Sequence, residues 1–242
     1  MSGRANLVAV QARTELADYR DASAFRAKIA ALMRDVSRTV DLTLPTLVSF
    51  PELIGMYLSF VPRYWGVFSE GGSLEAGTRS IIAENIASLP EEERTSPRLA
   101  VRRLLYIEGA LDAEATYAET FASLAREFGC YIGAGSITVP PIEIEPSKGG
   151  RHIVDDSKLY NTAYLFSPRG VCLSRTPKIE MTPGFEELVF DGGSPAGLVP
   201  VDTALGRIGT LVCFDGFHET LVERYDAQIG RASCRERVFR SV

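Results

Sequence analysis

Two short apolar runs separated by a helix-length stretch constrain this chain more than any other feature. Leu7-Val-Ala-Val10 suits a buried strand, and Leu44 to Phe50 (LPTLVSF) suits a second, ended by Pro51-Glu52. Between them, residues 22–40 carry Ala24, Ala27, Ile29, Ala31, Leu32 and Val36 at helical spacing. Strand, helix and strand in that order form a βαβ unit, whose strands pair in parallel.

Further along, Gly71-Gly72, Pro90 and Pro97 break residues 55–115, and Glu91-Glu92-Glu93 reads as a solvated turn or a helix start. Helices are expected near 75–88, 97–107 and 112–128. Cys130 to Ile137 then reads as a strand, and residues 140–158, rich in Pro, Gly and charge, as a loop. Asn161 to Ser167 and Val171 to Arg175 flank a turn at Pro168-Arg-Gly170, a hairpin signature. Leu198 to Asp202 and Ile208 to Phe214 look like a second hairpin about Leu205-Gly206-Arg207. Neither an internal repeat nor a second domain is visible.

Composition narrows the class. With 242 residues, 45% hydrophobic and 24% charged, the chain suits one soluble α/β or α+β domain. The net charge of −5 and the lack of a basic run before the last dozen residues disfavour nucleic-acid binding. No stretch of about 18 apolar residues occurs, and MSGRANLVAV lacks a signal-peptide core, so no membrane partner and a cytoplasmic location are expected. Cys130, Cys172, Cys213 and Cys234 are irregularly spaced, without CxxC, and the histidines are His152 and His218 only. Neither a metal site nor a disulfide framework is expected.

Chemistry concentrates in Gly206-Arg-Ile-Gly-Thr-Leu-Val-Cys-Phe-Asp-Gly-Phe-His-Glu219. An apolar strand, Ile208 to Val212, would deliver Cys213 to its C-terminal end, with a helix over 216–229. Such an elbow exposes a nucleophile, sets the Phe214 N–H where an oxyanion forms, and lets a helix N-terminus favour thiolate. The alternative is a cysteine serving as a small core hydrophobe. Val48-Ser-Phe-Pro-Glu-Leu-Ile54 ends a strand at Glu52, and Arg175-Thr-Pro-Lys-Ile-Glu180 puts Lys178 just after another. Charges are costly to bury, so strand ends beside a pocket suit both; a helix cap for Glu52 and a surface position for Lys178 are the plain alternatives.

In family order, these three segments resemble the nitrilase superfamily, the carbon–nitrogen hydrolases. Val8-Ala-Val-Gln11, Gly133-Ala-Gly-Ser136, Tyr160-Asn-Thr-Ala163 and Gly206-Arg-Ile-Gly209 add to the likeness, which runs from Leu7 to about Ile229. The resemblance implies a four-layer α-β-β-α sandwich and hydrolysis of a non-peptide C–N bond in a small linear amide or N-carbamoyl compound. It implies a Cys213 thioester, Glu52 as general acid/base, and Lys178 with the Phe214 N–H as the oxyanion site. Glu186, in Pro183-Gly-Phe-Glu-Glu187, matches the substrate-positioning glutamate of the amidase branch; a solvated loop charge is the alternative. No cofactor is implied, and a homodimer or higher oligomer is. Nitrile cleavage is the less favoured reading, because Phe214-Asp215 follows the cysteine where the nitrilase branch tends to have Trp-Glu.

Asp215 is expected to bond backbone groups within the elbow. A rival Cys–His hydrolase would use His218 or His152, the latter otherwise a solvated loop residue. Cys130 and Cys172 read as core filler, and Trp65 and Tyr57 as core packing or pocket lining. Residues about 58–110 lengthen the Glu52–Lys178 interval beyond the family's usual one and are expected over the pocket mouth or at a subunit contact. One domain is expected over 1–230, incomplete at its C-terminal side, with the arginine-rich residues 231–242, Cys234 included, a foreign or disordered tail. An inactive fragment is the corresponding rival function.

Overall fold

The computed structural model describes residues 4–69, 73–145, 147, 150–184 and 186–229. The expected tail at 231–242, Cys234 and the Gly71-Gly72 break lie outside them. The helix between the first two strands forms as its spacing requires. After β1 (Asn6–Ala9), α1 (Ala22–Thr39) is capped by Asp21, whose side chain accepts from the Ala24 N–H, and it buries Phe25, Ile29, Met33 and Val36 along one stripe. β2 (Thr46–Ser49) then pairs with β1 in parallel.

A helical segment follows: α2 (Trp65–Ser69), α3 (Leu74–Asn85), α4 (Glu91–Thr95), α5 (Pro97–Val101) and one π-helical stretch, Arg102–Ile107. Pro97 opens α5 where its missing N–H costs nothing, and α4 starts at the three glutamates. This segment is welded to the rest. Phe60 meets Phe68 and Tyr106 with ring centroids 6.0 Å apart in each case, and Tyr106 meets Phe190 at 5.7 Å.

α6 (Ala110–Phe128) ends on Gly129, whose φ of 63° is the left-handed cap that favours glycine. Its Phe121 packs edge-on against Phe25, Phe50 and Tyr117, so α1 and α6 share one core with the sheet beneath. Each fully buried ring contributes about 1.5–3 kcal/mol of burial.

The remaining strands are β3 (Tyr131–Val139), β4 (Ile142–Glu145), β5 (Gly150–Ile153), β6 (Tyr160–Phe166), β7 (Cys172–Pro177), β8 (Val201–Thr203) and β9 (Gly206–Ile208), and α7 (Glu219–Ile229) follows them. The main sheet has the order β1-β2-β3-β6-β7, parallel through β3 and antiparallel from β3 to β6 and β6 to β7. Because β7 therefore runs with β2, the C-terminal ends of both strands and the N-terminal end of β6 share one edge of the sheet. That topology positions the site. The mixed α/β class is the one expected.

Three local expectations are corrected. Residues 140–158 hold the β4–β5 ribbon instead of a loop: Ile142, Ile144 and Ile153 alternate with polar residues, and Pro140-Pro141 stand before the strand, where no N–H is needed. β1 is an edge strand whose Leu7 is 69% exposed, so that run is not buried on both faces. The second hairpin is short, since β9 stops at Ile208. Gly209 lies against the Tyr225 ring, where a Cβ would come within 2.7 Å, so the chain there follows α7.

Candidate active site

Residues 50–53 turn the chain sharply after β2. Leu53 adopts a φ of 60°, and its N–H donates to Ser136 Oγ at 2.8 Å, which swings Glu52 over the sheet edge. Lys178 follows β7 directly, and its N–H donates to the Asn161 carbonyl at 2.8 Å. Its side chain is almost fully buried. The ammonium donates to Glu52 Oε1 at 2.8 Å and to Glu186 Oε2 at 2.6 Å. Burial pulls its value down; the two carboxylates outweigh that and hold Lys178 above its usual range.

Glu186 is itself buried, in a 3-10 turn (Glu186–Leu188). Burial opposes its ionisation, but Lys178 and the Thr182 N–H, which donates at 2.8 Å, keep its carboxyl below the ordinary range. The reading of Glu186 as a solvated loop charge is excluded by that burial. Asn161, in the Tyr160-Asn-Thr-Ala163 fragment, opens β6 beside these groups. Its Nδ2 donates to Glu52 Oε1 at 2.8 Å and reaches Glu186 Oε1 at 3.5 Å.

Cys213 opens a 3-10 turn (Cys213–Phe217) with a φ of 46°. Leu53 and Cys213 are the two non-glycine residues with positive φ among those described. The elbow exists, but it is reached by an irregular Gly209–Val212 stretch, and α7 begins only at Glu219. The thiol is therefore not activated by a helix N-terminus. Although Cys213 is exposed, the partial burial of its sulfur and the nearby carboxylates of Glu52 and Glu186 push the thiol up to about 11, against the pull of Lys178. The expectation of a depressed thiol is corrected on that ground. Phe214 is the next residue of the turn, its ring against Phe217 and His218; the His218 ring lies 4.9 Å from that of Phe214.

Asp215 does more than cap its own turn. Fully buried, it accepts from Glu180 N at 2.7 Å, Ile179 N at 3.1 Å and Val212 N at 3.3 Å, tying the Cys213 elbow to the two residues after Lys178. Burial raises its carboxyl above the usual range despite those three donors. Side chains from four separate segments are thus brought together: Glu52, Lys178, Glu186 and Cys213. His152 lies elsewhere, on β5, where its ring and the carboxylates of Glu143 and Glu145 offer ligand atoms within 4.8 Å of one another. Tyr57 packs against Tyr19 and Phe60, and Cys130 is buried in the core. No described helix is long and apolar enough to cross a membrane.

A family model described as carbon–nitrogen hydrolase matches residues 8–239. A protein called Nitrilase 3, from an unknown prokaryotic organism, is 41% identical over 71 residues, 29% of this chain and 21% of that protein. The apolipoprotein N-acyltransferase of Geobacter metallireducens is 32% identical over 127 residues, 46% of this chain and 22% of that protein. Among solved structures, a mutant amidase from Nesterenkonia sp. AN1 in complex with butyramide superposes with a TM-score of 0.52 at 13% identity, over 93% of this chain and 61% of that one. Another mutant of the same amidase, carrying the acetamide moiety of fluoroacetamide on its active-site cysteine, gives 0.51 at 14% identity, with 93% and 61% covered. The matches span about a fifth of the curated relatives' length and about three-fifths of the solved chains.

Proposed function

The chain belongs to the carbon–nitrogen hydrolase family, and from that premise we propose that it hydrolyses a non-peptide C–N bond, in a small linear amide or N-carbamoyl compound, through a thioester on Cys213. The observation that carries this reading is the meeting of Glu52, Lys178 and Glu186 around the Cys213 thiol.

The chemistry follows from the charges. A thiol held near 11 is protonated at neutral pH, so attack requires Glu52 to take the S–H proton as the sulfur bonds to the carbonyl carbon. The new oxyanion is stabilised by the Lys178 ammonium, which both carboxylates hold cationic, and by the Phe214 N–H. Glu52 passes the proton to the amine as the C–N bond breaks, leaving the thioester. Water then attacks with Glu52 again as base, and the departing sulfur recovers a proton as the acid leaves. Glu186 orients Lys178 and the substrate. We propose the same small-molecule specificity, a homo-oligomer and a cytoplasmic location as parts of this reading.

Incubation with fluoroacetamide and with a panel of amides, followed by intact-mass and peptide analysis, tests it. The expected result is an acyl or acetamide adduct on Cys213 that is lost in Cys213→Ala and strongly reduced in Lys178→Ala. Full turnover in Lys178→Ala together with a dead His218→Ala would refute the triad in favour of a Cys–His pair. A folded chain in which Cys213 reacts with nothing would favour the inactive-fragment reading.

A further inference from the structure

We infer that Asn161 is a positioning residue that holds Glu52 and Glu186 apart around Lys178, and that its amide is locked by one water molecule shared with Thr138. The inference rests on the proposed acid/base role of Glu52. Asn161 touches both carboxylates and the backbone of the lysine they share: Nδ2 faces Glu52 and Glu186, and its carbonyl accepts from the Lys178 backbone N–H.

Its other amide atom carries the argument further. Among the described residues, two buried side-chain polar atoms have no hydrogen-bond partner, Asn161 Oδ1 and Thr138 Oγ1. These are not scattered. Thr138 and Asn161 sit directly opposite each other in the antiparallel β3–β6 register, and both are fully buried. Directly opposed side chains emerge on the same face with Cβ atoms about 4.5–5.5 Å apart. Leaving either atom unpaired costs about 1–3 kcal/mol. One water donating to Oδ1 and exchanging a hydrogen bond with the threonine hydroxyl satisfies both. It also fixes the sense of the amide, because a flipped Asn161 would aim its oxygen at two carboxylates. An asparagine here spaces the carboxylates without adding charge.

Alkylation of Cys213 by iodoacetamide at pH 8, in the full chain, reads this out without a known substrate, with circular dichroism to confirm folding. Removing the Nδ2 donor makes Glu52 a stronger acceptor for the thiol proton, so Asn161→Ala should slow alkylation about two- to threefold. Asn161→Asp adds a like charge and should slow it about fivefold. Thr138→Ser should match the parent, whereas Thr138→Val should move in the direction of Asn161→Ala, and crystals of the parent at high resolution should show the shared water. Folded Asn161→Ala and Asn161→Asp variants that react at the parental rate would overturn the positioning role. If they do not fold, a Thr138→Val variant indistinguishable from the parent, with no water between the two side chains, overturns it. Glu52→Gln separates the two levels: an altered rate there with unaltered Asn161 variants sinks this inference alone, and no response to Glu52→Gln sinks the acid/base reading with it.

Discussion

Asp215 is the joint on which the site's geometry is expected to depend, and Asp215→Ala tests it. The substitution removes the acceptor for three backbone N–H groups, those of Val212, Ile179 and Glu180. Ile179 and Val212 are buried, whereas Glu180 is only partly so and can be rehydrated. Two buried orphan donors at about 1–3 kcal/mol each give about 2–6 kcal/mol. Burying the carboxylate is itself unfavourable, which its upward shift registers, and removing it returns part of that cost. The net loss expected is about 2–4 kcal/mol. Asp215→Asn keeps one acceptor oxygen and should lose about 1–2 kcal/mol. Urea unfolding followed by circular dichroism measures both, through the midpoint at constant slope. The same variants should slow adduct formation at Cys213, since the elbow and the residues after Lys178 are no longer tied. An Asp215→Ala protein within about 0.5 kcal/mol of the parent would show that those hydrogen bonds do not hold the elbow.

Other expectations follow from the same contacts. Cys213 alkylation should climb with pH towards a midpoint about 11, and Glu52→Gln should speed it about threefold at pH 8, since lost basicity partly offsets extra thiolate, while abolishing amide turnover; a parallel fall in both rates would refute the assignment. Glu186 has a lowered folded-state value, so its contribution to stability is present above the unfolded value near 4.5 and fades as pH falls through the folded one. Thermal melts of Glu186→Gln should accordingly lose the acid-side decline attributable to that group, and an unchanged decline would contradict the pairing with Lys178. Gly135→Ala should destabilise by about 2–4 kcal/mol, because its φ is +69° and a Cβ would come within 2.0 Å of the Pro51 carbonyl oxygen; a parent-like melting temperature would count against that close approach.

Much of this was legible in residue order, for identifiable reasons. α1 and α6 carry apolar stripes long enough to fix a period; β2 lies in an apolar run stopped by Pro51 before Glu52, and β7 is marked by the turn at Pro168-Arg-Gly170 and by Pro177 just before Lys178. The β4–β5 ribbon is masked in the sequence because prolines, glycines and charges surround strands of four residues each, with an isoleucine alternation in β4 alone. The direction of the thiol's shift is not legible in the sequence, because local residues show a helix ahead of Cys213 but not the carboxylate arriving from 161 positions earlier in the chain. Asn161 does not stand out as a site residue for a related reason: an Asn-Thr pair opening a mostly apolar strand has no period, and only the register against Thr138 and the neighbouring carboxylates reveals its task.

The two strained positions connect these facts. A left-handed conformation at a residue with a Cβ costs on the order of 1 kcal/mol or more, and a branched side chain such as Leu53 adopts it only under constraint. At Leu53 the constraint is Ser136, at the far side of the Gly133-Ala-Gly-Ser136 bulge in β3; at Cys213 it is Asp215, bonded to Val212 before it and to Ile179 and Glu180 beyond Lys178. Each elbow is thus held by a polar side chain that reacts with nothing. The Glu52 elbow leans on β3 and the Cys213 elbow on the loop after β7, so the Glu52 carboxylate and the sulfur are located by two different strands of one sheet, with Lys178 paired to Glu52 and Glu186. Loosening either brace would leave every reacting group present in the chain and yet misplace it.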